Sequence, residues 1–172
     1  MAEAPWLQEP VLERVEWILR SHAAAFGRPL IAAAGRPARG AGDLRLLAAE
    51  LFAADRVVLA HDGAPPEEDP GPRLIYANRA ALSLWCRTWE EMVGLPSRLT
   101  AEPAERGGRA LALRQALRQE AIPDYQGVRI DRLGRRFQIR HARLWSLRDR
   151  QGVRRGQAAS FSDWHRIPAP SA

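Results

Sequence analysis

Between Tyr125 and Ser162 the chain changes its hydrophobic period, and that change limits the fold more than any other feature of the sequence. Three β-rich runs, Tyr125–Asp131, Arg136–Leu147 and Val153–Ser162, are separated by Arg132-Leu133-Gly134 and by Asp149-Arg150-Gln151-Gly152. Turn residues at that spacing predict a three-stranded antiparallel meander. Successive residues of a strand face opposite sides, so parity assigns faces. Phe137, Ile139, His141, Trp145 and Leu147 share one parity, while Gln138, Arg140 and Ser146 share the other. Arg143 falls on the apolar parity, which predicts a bulge or a strand end there. In the third run Val153, Gln157, Ala159 and Phe161 alternate with Arg154, Gly156, Ala158 and Ser160. One greasy face and one arginine-rich face are expected.

The upstream segments are shorter and mostly helical. From Gln8 to Phe26, Val11, Val15, Ile18, His22 and Ala25 trace one stripe of an α-helix, widened by Leu12, Leu19 and Phe26. The stretch Gly35 to Gly42 has no periodicity and predicts a linker. It divides an N-terminal arm, residues 1–42, from a domain over residues 43–168, with residues 169–172 as a tail. Asp43 suits the N-cap of a second helix carrying Leu44, Leu47 and Leu51 and ending near Ala54. Arg56–His61 and Leu74–Ala77 read as strands on either side of an acidic, Gly/Pro-rich loop. Asn78 caps a short helix through Trp85, Thr88-Trp89-Glu90-Glu91 has capping-box form, and Gly94 suits the left-handed closing position. A longer helix from Glu105 to Glu120 puts Ala110, Leu113 and Leu117 on one stripe before Ile122-Pro123 stops it.

Composition excludes several classes. A chain of 172 residues with 46% hydrophobic and 27% charged residues is long enough for one ordinary core and is neither disordered nor fibrous. Its single cysteine, Cys86, excludes an internal disulfide and any zinc site of two thiolates, and suits a reducing cytoplasm. The acidic start, Met1 to Trp6, is unlike a signal peptide, and no apolar run approaches the ~18 residues of a membrane span. A cytoplasmic protein without membrane contact is expected. All 26 basic residues are arginine, which reads as genomic bias as much as a selected surface. The excess is uneven: residues 1–100 hold 11 Arg against 13 acids, net −2, and residues 101–172 hold 15 Arg against 7 acids, net +8.

Strand, strand, several short helices, one longer helix and three strands is the layout of the PAS fold, a five-stranded antiparallel sheet curled over short helices to leave a chamber. The class is therefore α+β, PAS-like, with a helical arm added. Ile75 to Ala81 resembles the PAS strand-to-helix junction. Leu95 to Pro103, Asp124 to Ile130, Gly134 to Phe137 and Gly156 to Trp164 together resemble the MEKHLA domain family, PAS-related and known as stand-alone bacterial proteins and at the C-terminus of plant homeodomain-leucine zipper factors. The likeness covers roughly residues 43–166 and implies a non-catalytic sensory or interaction module that takes a small ligand or a protein partner.

Candidate residues follow from where such a chamber would lie. Tyr76 and Asn78 stand at the junction, and Tyr125 and Arg129 on the first meander strand. Trp85 and Trp89 flank Cys86, and Trp145 projects from the middle strand; all three either line the chamber or fill the core. Arg98 needs an anionic partner if it points inward, and makes a surface salt bridge otherwise. His141 has the parity of the apolar face, where its charge would respond to small shifts.

Cofactor chemistry is constrained by what is missing. Light-sensing flavin domains of the PAS class carry Gly-x-Asn-Cys-Arg; here the spacing reads Gly94-Leu95-Pro96-Ser97-Arg98, and serine does not supply the thiolate of a covalent flavin adduct. Haem is disfavoured because Glu105–Glu120 has no histidine. His22, His61, His141 and His165 are too scattered for a metal site. No hydrolase, nucleotide-binding or metalloprotease motif occurs, and the lack of lysine removes Schiff-base chemistry. An enzyme using His141 or Asp124 remains one alternative. Another is nucleic-acid binding through Arg129, Arg132, Arg135, Arg136, Arg140, Arg148, Arg150, Arg154 and Arg155, although no recognition motif accompanies them. The stripe of Val11, Val15 and Ile18 could join two copies into a homodimer or pack on its own sheet.

Overall fold

The computed structural model describes the backbone of residues 1–169 and 171, and their side chains except those of residues 104, 113, 116 and 117. Leu113 and Leu117 of the expected helix stripe, and residues 170 and 172 of the tail, lie outside the described residues. Helix α1 spans Glu9–Phe26 and α2 Ala41–Ala53. Strands β1, Val57–Asp62, and β2, Leu74–Ala77, precede the short helices α3, Arg79–Trp85, and α4, Trp89–Met92. A 3-10 turn, Ser97–Thr100, leads into α5, Pro103–Gln119. The remainder is β3, Ala121–Ile130, β4, Arg136–Arg148, β5, Arg154–Phe161, and β6, Asp163–Arg166.

Local chemistry sets these boundaries. The Asn78 side chain accepts from Ala81 N, and Thr88 and Glu91 complete a reciprocal capping box. Gly27 closes α1 in the left-handed conformation. Asp43 does not cap α2 as expected. Gly40 holds that position, and the Asp43 carboxylate accepts instead from Arg39 N at 2.9 Å. Two turn aspartates close the meander: Asp131 accepts from Leu133 N and Arg135 N, and Asp149 from Gln151 N and Val153 N.

The sheet runs β2-β1-β5-β4-β3, entirely antiparallel, with β6 also paired to β4. The five expected strands thus gain a sixth. β5 pairs with Arg143–Arg148 of β4, and β6 continues alongside Phe137–Arg140, the pair forming one broken strand with Ser162 at the break. Among the described residues no helix is long and apolar enough to cross a membrane.

Both faces of the sheet are covered. The inner face, with Val57, Leu59, Phe137, Ile139, Ala142 and Phe161, packs on α3 and α4 through Leu84, Trp85 and Met92. The outer face, with Val58, Ala60, Tyr76, Trp145, Leu147 and Ala158, is capped by Leu12, Val15 and Ile18 of α1. Each Val, Leu, Ile, Phe or Met side chain among them contributes roughly 1.5–3 kcal/mol on burial. The arm is therefore part of the core. Val11, Val15 and Ile18, the stripe that a twin would have used, are 5%, 0% and 0% exposed within their own chain.

Two expectations for β4 change with one residue. The irregularity lies at His141, at φ 53°, rather than at Arg143, and the β3–β4 register shifts across it. An extra residue in a strand exchanges its faces. Phe137 and Ile139 therefore point inward, whereas Trp145 and Leu147, of the same parity, point outward. His141 leaves the apolar face and stands exposed. The second face of the meander is consequently not an arginine-rich surface but the seat of α1.

Candidate functional site

A cavity of about 60 Å³ lies between the inner sheet face and the helices, lined by apolar Leu59, Leu74, Ile139, Leu144 and Phe161. At ~10–15 Å³ per water, that is room for about four to six waters. Its polar lining comes from six elements or turns: His61 on β1, Trp85 ending α3, Ser97 and Thr100 in the 3-10 turn, Arg109 on α5, Tyr125 and Arg129 on β3, and Gln157 on β5.

Arg129 is held by its neighbours. Nη1 donates to Val128 O at 2.8 Å and Nη2 to the Tyr125 hydroxyl at 3.0 Å, with the guanidinium 5.5 Å from the Tyr125 ring centre. Gly127 makes this fold-back feasible: a Cβ there would stand 2.6 Å from the Tyr125 hydroxyl and 3.0 Å from Arg129 Nη1. Arg109 faces the same space. Burial, with the Arg129 charge acting in the same direction, lowers Arg109 to about 9, so it is still a cation at neutral pH. Among the described residues no carboxylate comes within ion-pair distance of Arg109 or Arg129.

His61 adds a fixed acceptor. Its Nδ1 is 2.8 Å from Asp62 O. A carbonyl only accepts, so the ring proton sits on Nδ1 and Nε2 offers a lone pair. Burial first, and Arg109 second, push His61 down to about 4, so it is neutral. His61 Nε2 and Ser97 Oγ are both buried with no hydrogen-bond partner among the described residues.

Of the residues singled out from the sequence, Trp85, Tyr125 and Arg129 line this cavity. The others do not. Tyr76 and Trp145 belong to the outer core, and half-buried Trp89 packs against Trp6, Phe52 and Tyr76. Asn78 spends its amide on structure, donating to Leu51, Ala54 and Arg56 carbonyls and accepting from Val58 N and Ala81 N. Arg98 lies on the surface, 3.0 Å from Asp69. His141 is 71% exposed, 3.0 Å from Asp124 and 3.6 Å from Asp163. His61, Ser97 and Arg109 were not anticipated as lining residues. His61 was within reach, because it shares the parity of Val57 and Leu59; Arg109 is one arginine among 26 and carried no signal.

The arginines of the meander are largely committed. Arg132, Arg135, Arg136, Arg140, Arg148, Arg150 and Arg155 pair with Glu91, Asp131, Glu102, Asp163, Glu120, Glu16 and Asp149. Paired charges release few counterions on meeting a phosphate backbone, which weakens the nucleic-acid alternative.

A curled antiparallel sheet with short helices and a lined chamber on its inner side defines a PAS-class module, and solved structures agree. The PAS domain of a protein from Colwellia psychrerythraea superposes with a TM-score of 0.59 at 13% identity, over 70% of this chain and 95% of that one. A light-oxygen-voltage domain studied with a flavin analogue gives 0.53 at 19% identity, over 75% and 89%. An RNA-binding light-oxygen-voltage receptor gives 0.56 at 20% identity, over 69% of this chain and 32% of that longer one. At these identities the likeness concerns the fold alone. Within the class, the chain belongs to the MEKHLA domain family, whose model matches residues 12–166. No curated protein gives a significant match.

The flavin of light-oxygen-voltage domains does not fit this chamber. Its 60 Å³ is far below the ~300 Å³ at which drug-sized pockets begin, and Trp85 packs edge-on against Phe137 and Phe161 within the same core. Ser97 does line the chamber, at the place where a thiol would be needed, and offers a hydroxyl.

Proposed function

We propose that this chain is a sensory module that takes a small guest in the chamber beneath the sheet and reports it across the sheet to the N-terminal helix. The observation that carries this reading is a polar, cationic lining around unfilled space in an otherwise apolar core. A structural core at this position would be expected to close over apolar side chains or satisfy its polar groups internally. MEKHLA and PAS domains are generally non-catalytic, which favours a binding role over an enzyme. The route outward is short: β4 carries Leu144 on the chamber side and Trp145 against α1. A guest that moves β4 therefore moves the seat of α1, and the reader of that movement would be another protein.

The test is a thermal-shift screen of the purified full chain against small polar metabolites of about four to six non-hydrogen atoms, with native mass spectrometry of the untreated protein. The expected result is a retained guest or a concentration-dependent rise in Tm. A chain that holds nothing and responds to no compound, charged or neutral, contradicts the sensory reading.

A further inference from the structure

Two arginines without a carboxylate partner in one small cavity impose a requirement on whatever enters it. Removing a cation from water is costly unless an anion or several acceptors replace the water. Arg129 has spent two donors, on Val128 O and the Tyr125 hydroxyl, and among the described residues no carboxylate takes its remaining N–H groups or those of Arg109. In the same lining, His61 Nε2 has the reverse need. Locked as an acceptor by the Asp62 carbonyl and buried without a partner, it is completed by a hydrogen-bond donor. Ser97 Oγ, also unpartnered, can serve either role.

These demands belong to one molecule of limited size. A guest meeting them all would carry a negative charge and a hydroxyl or N–H donor, within the space of about four to six waters. An amino acid would bring an ammonium into a lining that, among the described residues, holds two guanidinium groups and no carboxylate. A dicarboxylate would place its second charge against the apolar wall of Leu59, Leu144 and Phe161. We propose that the chamber binds a small 2-hydroxy carboxylate, its carboxylate between Arg109 and Arg129 and its hydroxyl donating to His61 Nε2. This rests on the chamber being the guest site, as argued above, and specifies the chemistry of the guest. Tyr125 is a positioning residue: its hydroxyl holds Arg129 against the chamber wall, and Gly127 leaves the space for that contact.

The experiment is isothermal titration of the full chain with glycolate, acetate and the neutral amide glycolamide, repeated on Arg109→Gln, Arg129→Gln and Arg98→Gln. Glycolate is expected to bind at least about tenfold more tightly than either analogue, as loss of one charge-assisted or buried hydrogen bond predicts. Either chamber variant should lose about tenfold or more, and Arg98→Gln, on the surface, none. A second readout covers failure to fold. Replacing a half-buried cation with no carboxylate partner among the described residues should leave the Tm of guest-free Arg109→Gln unchanged or raised while glycolate no longer shifts it. Glycolamide binding as well as glycolate, or both chamber variants binding glycolate unchanged, overturns the anion assignment while leaving the chamber as a guest site. Acetate binding as tightly as glycolate overturns the hydroxyl assignment. If none of the three compounds binds but the broader screen finds a neutral guest, this inference fails alone; if that screen is also empty, the sensory reading fails with it.

Discussion

The two faces of the sheet each bury one histidine, and the difference between them separates structure from function. On the outer face His22 is fully buried; its Nδ1 lies 3.1 Å from Arg28 O and its Nε2 3.1 Å from Arg143 Nη1. Gly27 turns the chain so that Arg28 O reaches the ring, and both nitrogens are satisfied inside the protein. On the inner face His61 is held through Nδ1 in the same way, but its Nε2 has no partner among the described residues, and Arg109 lies nearby without a carboxylate. Both environments push the ring down to about 4, through burial first and an arginine charge second. The outer histidine is complete as it stands, although Tyr76 Oη and Trp145 Nε1 on that face have no partner among the described residues. The inner histidine differs in that its open nitrogen belongs to a residue lining a cavity.

The largest effect should come from Gly156, where the faces are joined. It pairs with Asp62 of β1 and Leu147 of β4, at φ 151°, and a Cβ there would stand 2.0 Å from His61 O. The obstacle is backbone and does not rotate away. Gly156→Ala should cost more than about 4–5 kcal/mol by separating β1 from β5, seen as a lost or strongly lowered urea midpoint. An unchanged midpoint would mean that the two faces are not built on one continuous sheet.

Next comes Trp145→Ala, confined to the outer face. Removing this fully buried ring from beside His22 and Phe26 should cost about 3–5 kcal/mol in chemical denaturation. Guest affinity of the molecules that remain folded should change less than stability does. A variant that lost binding and kept its stability would reverse the roles assigned to the faces.

Acid should strain both faces together. Each histidine is near 4 when folded against an ordinary 6.5, so the unfolded chain takes up protons first as pH falls. Stability is fully present above about 6.5 and is lost between 6.5 and 4, by on the order of 2–3 kcal/mol per histidine. Melting curves at half-unit pH steps check this, and a stability flat across that window contradicts it.

The subtlest contrast exchanges each histidine for leucine. His22→Leu strands Arg28 O and Arg143 on the outer face and should cost about 1–3 kcal/mol. His61→Leu removes a ring with one unmet nitrogen and should cost less than about 1 kcal/mol while abolishing the preference for glycolate over acetate. Equal costs measured by thermal denaturation would erase the distinction between the faces.

Much of the fold was legible because its signals are local. Asn78, the Thr88 box, Gly94 and the two glycine turns act within a few residues of themselves, and the strands and helices they bound stand close to where the sequence puts them. What was hidden depends on longer range. The bulge at His141 inverts the second half of β4, and parity alone assigns Trp145 and Leu147 to the wrong side; nothing in the letters distinguishes a bulge at residue 141 from one at 143. The use of α1 was equally open, since an apolar stripe suits a twin as well as its own sheet. In the chamber, large aromatics attracted notice while the residues that define its chemistry did not. Ser97 reads as a lost cysteine, and Arg109 as one more arginine on a polar helix, until the fold brings both beside His61.

The most direct test is a nuclear magnetic resonance titration of the ¹⁵N-labelled full chain with glycolate. The indole signal of Trp85, on the chamber wall, and the amide of Gly127 are predicted to move in a saturable way, with the Trp145 indole on the opposite face moving less. Saturable shifts confined to the outer face, or none anywhere at millimolar glycolate and with the other small acids and amides of the screen, would contradict the chamber as the place where this protein meets its guest.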